Sequence, residues 1–136
     1  MPDIRINVSI KAAPQTIYDA ITTQEGLSSW WAKQTIAKPE VGFLNVFTFG
    51  TFRNAMKIIE LTPKKRVEWE CTESMEEWVG THVIFNLEEK GERTVLRFSH
   101  SGWRAATDMM AGCTYDWSLF MKSLKMYCET GVGSPS

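Results

Sequence analysis

The sequence of 136 residues lacks the features that would at once assign it to a membrane or a nucleic-acid-binding class. No stretch approaches the roughly 20 apolar residues that a membrane-spanning helix needs. The N-terminus shows no basic stretch followed by an apolar run, so we also expect no signal peptide. The formal net charge of −1 gives no electrostatic reason to expect nucleic acid or an anionic membrane as a partner.

Residue patterns that hold metals or support nucleophilic catalysis are equally scarce. The three cysteines show no C-x-x-C spacing and the two histidines are unpaired, so we expect no metal site and no cofactor. Neither a G-x-S-x-G elbow nor a phosphate-binding glycine loop occurs. An odd number of cysteines without a disulfide pattern is typical of reduced thiols, which predicts a cytoplasmic location.

Aromatic residues, in contrast, are abundant. Six Trp, seven Phe and three Tyr are more large flat side chains than a minimal core of this size requires. One interpretation is a core that is simply packed with large residues. The other is a cavity lined by some of these rings, which is how sites for apolar ligands are built.

The first third of the chain predicts a strand followed by two short helices. Residues 3–11 alternate apolar and polar side chains, the period-two pattern of a half-buried strand. Pro14 suits the first turn of a helix, where its missing N–H is tolerated. Thr22 and Glu25 have the spacing of a capping box for a second helix. This second helix carries Trp30 and Trp31, one of which we expect to pack inward while the other is exposed.

Residues 43–100 have the pattern of short antiparallel strands separated by turns. We predict strands over 43–49, 52–61, 66–71, 79–88 and 94–100. In the last hairpin, a pairing of Phe85 with Leu96 brings the two apolar faces together. This register directs His100 inward, opposite Thr81, and His82 outward.

The strongest helical pattern runs from roughly Gly112 to Glu129 near the C-terminus. Residues spaced by three or four form one apolar face, namely Cys113, Trp117, Phe120, Leu124 and Tyr127. Gly131 is well placed to end this helix in a left-handed cap, and we expect residues 131–136 to form a flexible tail. The order of elements predicts a single α+β domain over residues 1–136, with the long helix packed on a largely antiparallel sheet.

Five segments in this order resemble the activator-of-heat-shock-protein-90-ATPase-like branch of the START-like (SRPBCC) superfamily. They are Ala13-Pro14 with Ile17–Thr22, Trp30-Trp31, Pro63 with Val67, Thr94–Trp103, and the stretch from Gly112 to Gly131. The resemblance implies a helix-grip fold, in which a curved antiparallel sheet wraps around the C-terminal helix and encloses a cavity. It also implies a function, since relatives commonly bind lipids, polyketides or other apolar compounds and a few are cyclases. One eukaryotic group stimulates the chaperone's ATPase, but the additional N-terminal domain of that group has no counterpart in this sequence.

The leading functional hypothesis is non-enzymatic binding of a small apolar, aromatic or lipid-like ligand in a cavity between the sheet and the C-terminal helix. We expect this cavity to be lined by inward-facing residues, namely Phe47, Met56, Trp69, Phe85, Phe98, His100, Trp117 and Met121. The first alternative is a chaperone-associated interaction protein, and a homodimer is compatible with either function.

The second alternative is a cyclase or dehydratase-type enzyme that uses the same cavity. His100 is then the candidate general base, with Tyr115 and Asp116 near the start of the long helix. The competing interpretation of His100 is a core histidine that hydrogen-bonds to the backbone or to Thr81. We favour the interpretation of His100 as a core histidine, and with it a protein that is not an enzyme.

Overall fold

A seven-stranded antiparallel sheet curves around one long helix in the computed structural model of the chain, which describes residues 1–136. The elements in chain order are β1 (Ile4–Ile10), α1 (Pro14–Thr22), α2 (Gln24–Trp30), β2 (Gln34–Ile36), β3 (Leu44–Phe49), β4 (Phe52–Thr62), β5 (Arg66–Glu73), β6 (His82–Lys90), β7 (Arg93–Ser101) and α3 (Asp108–Thr130). The strand order in the sheet is β1-β7-β6-β5-β4-β3-β2. This architecture confirms the predicted α+β helix-grip fold.

The sheet is built from consecutive hairpins and is completed when β1 pairs with β7. The predicted strands all occur, with ends that differ by at most three residues. The edge strand β2 was not predicted. It is only three residues long and has a single buried side chain, Thr35, so it carries no alternating apolar pattern.

The register of the β6–β7 hairpin differs from the prediction by two residues. Phe85 lies opposite Phe98 and Val83 lies opposite His100, with Gly91 in a two-residue turn at a φ of 62°. Such a tight turn requires positive φ, which favours glycine. Because side chains alternate with a period of two, a shift of two residues leaves each side chain on its predicted face. His100 therefore points inward as predicted.

Both later helices begin at different residues from those predicted. The cap of α2 is Thr23, whose hydroxyl accepts from Gly26 N at 3.0 Å, whereas the Thr22 hydroxyl donates to Tyr18 O within α1. Helix α3 begins one turn earlier than expected, after the cap residue Thr107. Its first turn is largely exposed and adds little to the apolar face, which is why the pattern did not reveal it.

The C-terminal segment 131–136 is hydrogen-bonded along its length, in contrast to the flexible tail that we expected. Ser136 N donates to Trp31 O at 2.8 Å, and Lys33 N donates to Ser136 O at 2.9 Å. Ser134 N donates to the Ser123 hydroxyl at 2.8 Å. The left-handed cap that starts this segment, at Gly131 with a φ of 85°, occurs as predicted. The partners of the tail are distant in sequence, so local composition could not indicate them.

A single core of 26 buried hydrophobic residues lies between the three helices and the concave face of the sheet. Helix α3 contributes Cys113, Trp117, Met121 and Leu124 to this core. All three cysteines are free thiols, two of them buried and Cys128 half-buried. None of the three helices combines the length and the apolarity that crossing a bilayer requires.

Candidate functional site

The eight residues that we predicted to line a cavity lie together in the core, and each is at most 1% exposed. Their rings contact one another directly. The ring centroids are 4.5 Å apart for Phe98 and Trp117, 5.4 Å for Phe85 and Phe98, and 5.1 Å for Trp69 and Phe85. The side chains themselves therefore occupy much of the space between α3 and the centre of the sheet.

His100 lies at the centre of a directional chain of hydrogen bonds. The Trp117 indole Nε1 donates to His100 Nδ1 at 3.1 Å, so Nδ1 must be unprotonated. The ring proton is then on Nε2, which donates to the Thr81 hydroxyl at 2.7 Å. The Thr81 hydroxyl in turn donates to Trp78 O at 2.5 Å. The hydrogen-bond geometry thus assigns the neutral Nε2–H tautomer.

This arrangement leaves His100 without a free nitrogen for a substrate. Burial lowers the pKa of His100 to about 3 from the ordinary value of 6.5, because the charged ring cannot be solvated there. The rings of Trp78 and Trp103 lie 4.6 and 4.9 Å from the imidazole and separate it from water. The geometry therefore favours the interpretation of His100 as a core histidine that positions Trp117. It does not favour the alternative, in which His100 is the general base of an enzyme.

One apolar pocket lies at the end of the core, where α3, the β3–β4 hairpin and the β5–β6 loop meet. Its volume is about 130 Å³, and eight of its ten lining residues are hydrophobic. We call it the α3 pocket, and its lining residues are Trp31, Phe49, Phe52, Asn54, Met75, Trp78, Cys113, Asp116, Trp117 and Phe120. Of the eight predicted binding residues, only Trp117 lines this pocket.

Trp31 is central to the wall of the α3 pocket. Its ring centroid is 5.7 Å from that of Phe49, 5.3 Å from that of Trp117 and 6.1 Å from that of Phe120. Trp31 is 1% exposed and Trp30 is fully buried, so the prediction that one of the two is exposed was wrong. Trp30 is accommodated in the core because its indole N–H donates to Ala20 O at 2.8 Å.

The polar groups of the α3 pocket are Asn54 and Asp116. Asn54 is 3% exposed and its side-chain oxygen accepts from the Ser74 hydroxyl. Asp116 is exposed on α3 and forms neither an ion pair nor a side-chain hydrogen bond. Tyr115, which we had grouped with Asp116 as a candidate, is 67% exposed and does not line the pocket.

Cys113 lies in the wall of the pocket as a protonated thiol. Its sulfur accepts from the Trp78 indole N–H at 3.4 Å. Burial raises the pKa of Cys113, and the negative charges of Asp116 and Glu77 raise it further. Because the thiolate is the nucleophile, this environment makes Cys113 unreactive.

The other hollows are less suited to an apolar ligand. The largest, of about 780 Å³, lies between α1, α2 and the end of α3, but only three of its ten lining residues are hydrophobic. A polar surface hollow offers little apolar area to remove from water, so volume alone does not make it a binding site. No group of three or more His, Cys, Asp or Glu side chains lies together in a way that could hold a metal ion.

The residues of the α3 pocket were mostly missed in the sequence because they come from turns and element ends. Phe49 and Phe52 flank the Gly50 turn, and Trp78 follows an acidic loop. Aromatic side chains beside turns are the one signal that could have identified them, since such residues close the ends of a sheet and do not fill its centre.

The family model described as "Activator of Hsp90 ATPase homolog 1-like protein" matches residues 11–129. None of the curated protein sequences matches the chain. Among solved structures, the chain is similar to the Aha1 dimer from Colwellia psychrerythraea, with 39% identity and a TM-score of 0.91 over 98% of this chain and 100% of that chain.

Two more distant structures share the fold. A Mesorhizobium loti protein is 19% identical, with a TM-score of 0.81 over 92% of this chain and 95% of that chain. CalU16 from Micromonospora echinospora is 18% identical, with a TM-score of 0.77 over 97% of this chain and 76% of that chain. At these identities the likeness extends to the architecture alone.

Proposed function

Because this chain belongs to the family of activator of Hsp90 ATPase homologue 1-like proteins, within the START-like superfamily, we propose that it is a non-enzymatic binding protein for a small apolar or aromatic ligand. The observation that carries the proposal is the α3 pocket, an apolar recess at the end of an otherwise packed core. Small-molecule sites are typically concave, mostly apolar and supplied with a few polar groups, as this pocket is.

The size of the pocket limits what enters it. Its volume of about 130 Å³ is close to that of the engineered cavity of roughly 150 Å³ that holds benzene. It is well below the roughly 300–1,000 Å³ typical of pockets for drug-sized ligands. One ring or one compact branched group therefore fits inside, while the remainder of a larger ligand lies at the mouth. Complete burial of a Phe-sized group contributes about 1.5–3 kcal/mol, so a single-ring probe should bind weakly.

A titration with phenol, a single-ring probe, tests the proposal through the tryptophan indole N–H resonances in two-dimensional NMR. We expect saturable shifts at Trp78 and Trp117, whose rings line the pocket. Cys113→Met introduces a longer side chain into the pocket wall. This side chain should occupy the space of the ligand and weaken binding at least about tenfold. Ser118→Met, at an exposed position of the same helix, is the matched control. The absence of saturable shifts at every pocket indole, together with unchanged thermal stability, would contradict the proposal.

The structure also supports a proposal of homodimer formation, since the Colwellia psychrerythraea relative is described as a dimer. The outer face of α3 exposes apolar side chains at Tyr115, Leu119 and Met126, which are 67%, 48% and 39% exposed. Leu119→Glu should therefore shift the sedimentation equilibrium toward monomer, whereas Thr114→Glu, at an exposed position outside this face of the same helix, should change it less. A protein that is monomeric at high concentration before mutation would refute the dimer.

Chaperone association is a second candidate function, and its support is the printed description of the matched family. The test is the ATPase rate of a purified heat-shock protein 90 with and without this protein, together with a pull-down. An unchanged rate and no retention would remove this candidate. We also propose a cytoplasmic location, because the reducing conditions there suit the three free thiols.

A further inference from the structure

The side of α3 that faces away from the core carries three exposed residues at heptad spacing. Asp108, Tyr115 and Lys122 are seven residues apart along the helix. Seven residues complete nearly two helical turns, so the three side chains lie in one row, which we call the outer row of α3. Tyr115, at the centre of the outer row, is 67% exposed, and both charged residues are exposed as well. The buried Trp117 lies on the opposite side of the helix.

The two ends of the outer row carry opposite charges that are unpaired within the chain. Neither Asp108 nor Lys122 takes part in an ion pair. Each lies about 10 Å from Tyr115 along the helix axis, in opposite directions. A face with a negative and a positive end at equal distances from its centre is complementary to a copy of itself that runs in the opposite direction. The charges therefore indicate a second copy of this chain as the partner.

The sizes of the neighbouring side chains fit the same arrangement. In an antiparallel pair of helices centred on Tyr115, residues equally far from Tyr115 on its two sides lie at the same level. Leu119, which is 48% exposed, then lies over Ala111 and Gly112 of the second copy. Both of these small residues are exposed, and nothing lies within 4 Å of a Cβ added at Gly112. Small residues there leave space for the larger Leu119 between closely packed helices.

Other arrangements of the two helices lose this match. A parallel pair would place Asp108 beside Asp108 of the second copy and Lys122 beside Lys122, so like charges would repel at both ends. An antiparallel pair centred on Leu119 would bring Lys122 level with Asp116 of the second copy. These two side chains lie about 60° to either side of Leu119 around the helix, so they would meet the partner on opposite edges of the face.

We propose that a second copy of this chain packs its α3 antiparallel against the outer row, with Tyr115 at the two-fold axis and Lys122 of each copy paired with Asp108 of the other. This inference rests on the homodimer proposed above and specifies the surface, the direction and the register of the contact. Residues 108–122 of each copy, about four turns of helix, form the contact. An interface of this size is small, so the dimer is weak and its population depends on concentration.

Cysteine crosslinking tests the register directly. In Tyr115→Cys the two introduced thiols lie at the two-fold axis, and diamide should join them in a disulfide that is seen as a dimer on a non-reducing gel. Leu119→Cys is the matched control, because its two copies lie about 12 Å apart along the axis, beyond the reach of a disulfide. We expect crosslinking at least about tenfold faster for Tyr115→Cys. The native cysteines are buried or half-buried, and the unmodified protein gives the background.

A charge swap tests the ion pairs. Lys122→Glu and Asp108→Lys each place like charges at both ends of the contact and should raise the Kd of the dimer at least about fivefold in sedimentation equilibrium at low salt. The double variant restores opposite charges, and its Kd should return to within about twofold of the original. It retains the loss of the favourable negative charge at the start of α3, so a restored Kd cannot come from helix stability. Lys65→Glu, in the exposed β4–β5 turn, makes the same change in net charge as Lys122→Glu and should leave the Kd unchanged.

The outcomes separate the inference from the homodimer on which it rests. A protein that stays monomeric at high concentration overturns both. A dimer in which Leu119→Cys crosslinks as fast as Tyr115→Cys overturns the register and leaves the homodimer intact. A dimer whose Kd is not restored in the double variant overturns the pairing of Lys122 with Asp108 and likewise leaves the homodimer intact.

Discussion

Replacement of His100 by glutamine should change how the stability of this protein depends on pH. The imidazole is fully buried, and burial lowers its pKa to about 3 from the ordinary value of 6.5. In the unfolded chain the histidine regains a pKa near 6.5. Glutamine does not titrate, and its side-chain oxygen can still accept from the Trp117 indole. The variant should therefore fold while losing the proton linkage.

The direction of the effect follows from the number of protons bound in each state. Between the folded pKa of about 3 and the unfolded pKa of 6.5, the unfolded state binds the additional proton. Acidification in this range therefore favours unfolding, and the free energy of unfolding falls as the pH falls through the unfolded value. From about pH 7 to about pH 4.5 the loss due to His100 is about 2.5 kcal/mol, at roughly 1.4 kcal/mol per pH unit below the unfolded pKa. Below the folded value the loss stops growing.

The assay is urea unfolding followed by tryptophan fluorescence, with both proteins measured at each pH. Carboxylates with lowered pKa values, such as Glu88 beside Arg97, also lose stability in acid. Their contribution is common to both proteins and cancels in the difference. The stability advantage of the unmodified protein over His100→Gln should thus shrink by about 2.5 kcal/mol across this range. His82→Gln removes the other histidine, which lies on the outer face. In this variant the part of the pH dependence of the free energy of unfolding that is due to His100 should be unchanged.

This reasoning would be refuted if the free energies of unfolding of the unmodified protein and of His100→Gln changed with pH in parallel. Such parallel changes would mean that the imidazole takes up a proton equally well in the folded and unfolded states. The assigned chain from Trp117 through His100 to Thr81 could not then hold, because a protonated Nδ1 cannot accept the indole N–H. Imidazole nitrogen chemical shifts at about pH 5 give an independent check, with only Nε2 expected to carry a proton.

Two further predictions concern glycine positions and thiols. A Cβ atom at Gly26 would lie 2.6 Å from Ala20 Cα, so Gly26→Ala should destabilise the protein by about 1–3 kcal/mol in chemical unfolding. At Gly112, within α3, nothing lies within 4 Å of the added atom, so Gly112→Ala should instead stabilise it by about 0.5–1 kcal/mol, and equal effects at both sites would contradict the packing described. Burial raises the pKa of Cys71 to about 11 and that of Cys128 to about 12, so native protein at about pH 8 should react slowly with a thiol reagent and rapidly once unfolded. A thiol that reacts at the unfolded rate in native protein would contradict their burial.

Several features of the site could not be obtained from the sequence. The period-two pattern of β6 and β7 places His100 on the inner face, but the same pattern is satisfied by registers that differ by two residues. Thr81 was considered as a hydrogen-bond partner of His100, and this contact occurs. The hydrogen bond from the Trp117 indole to the other nitrogen of His100 was not foreseen. This contact joins the sheet to α3, and no local pattern reports on it.

The location of the pocket depended even more on tertiary structure. The prediction used residues at the centre of the inward face, where Phe85, Phe98 and Trp117 in fact pack against one another. The open space lies at the end of the core, beside the hairpin turn that carries Phe49 and the loop that carries Trp78. Periodicity identifies which residues face inward but not which of them meet a gap, because a gap is a property of how separate elements fit together.

The sequence by itself determined the elements of this protein and their inward faces. The alternation of Ile4–Ile10, the helical spacing up to Gly131 and the turn residues between strands are local signals, and each is set by interactions within a few residues. Only the tertiary structure decided the strand register, the binding of residues 131–136 beside Trp31 and the position of the α3 pocket. These features arise from contacts between residues far apart in the chain, and the pattern of one segment does not specify the partner that it meets.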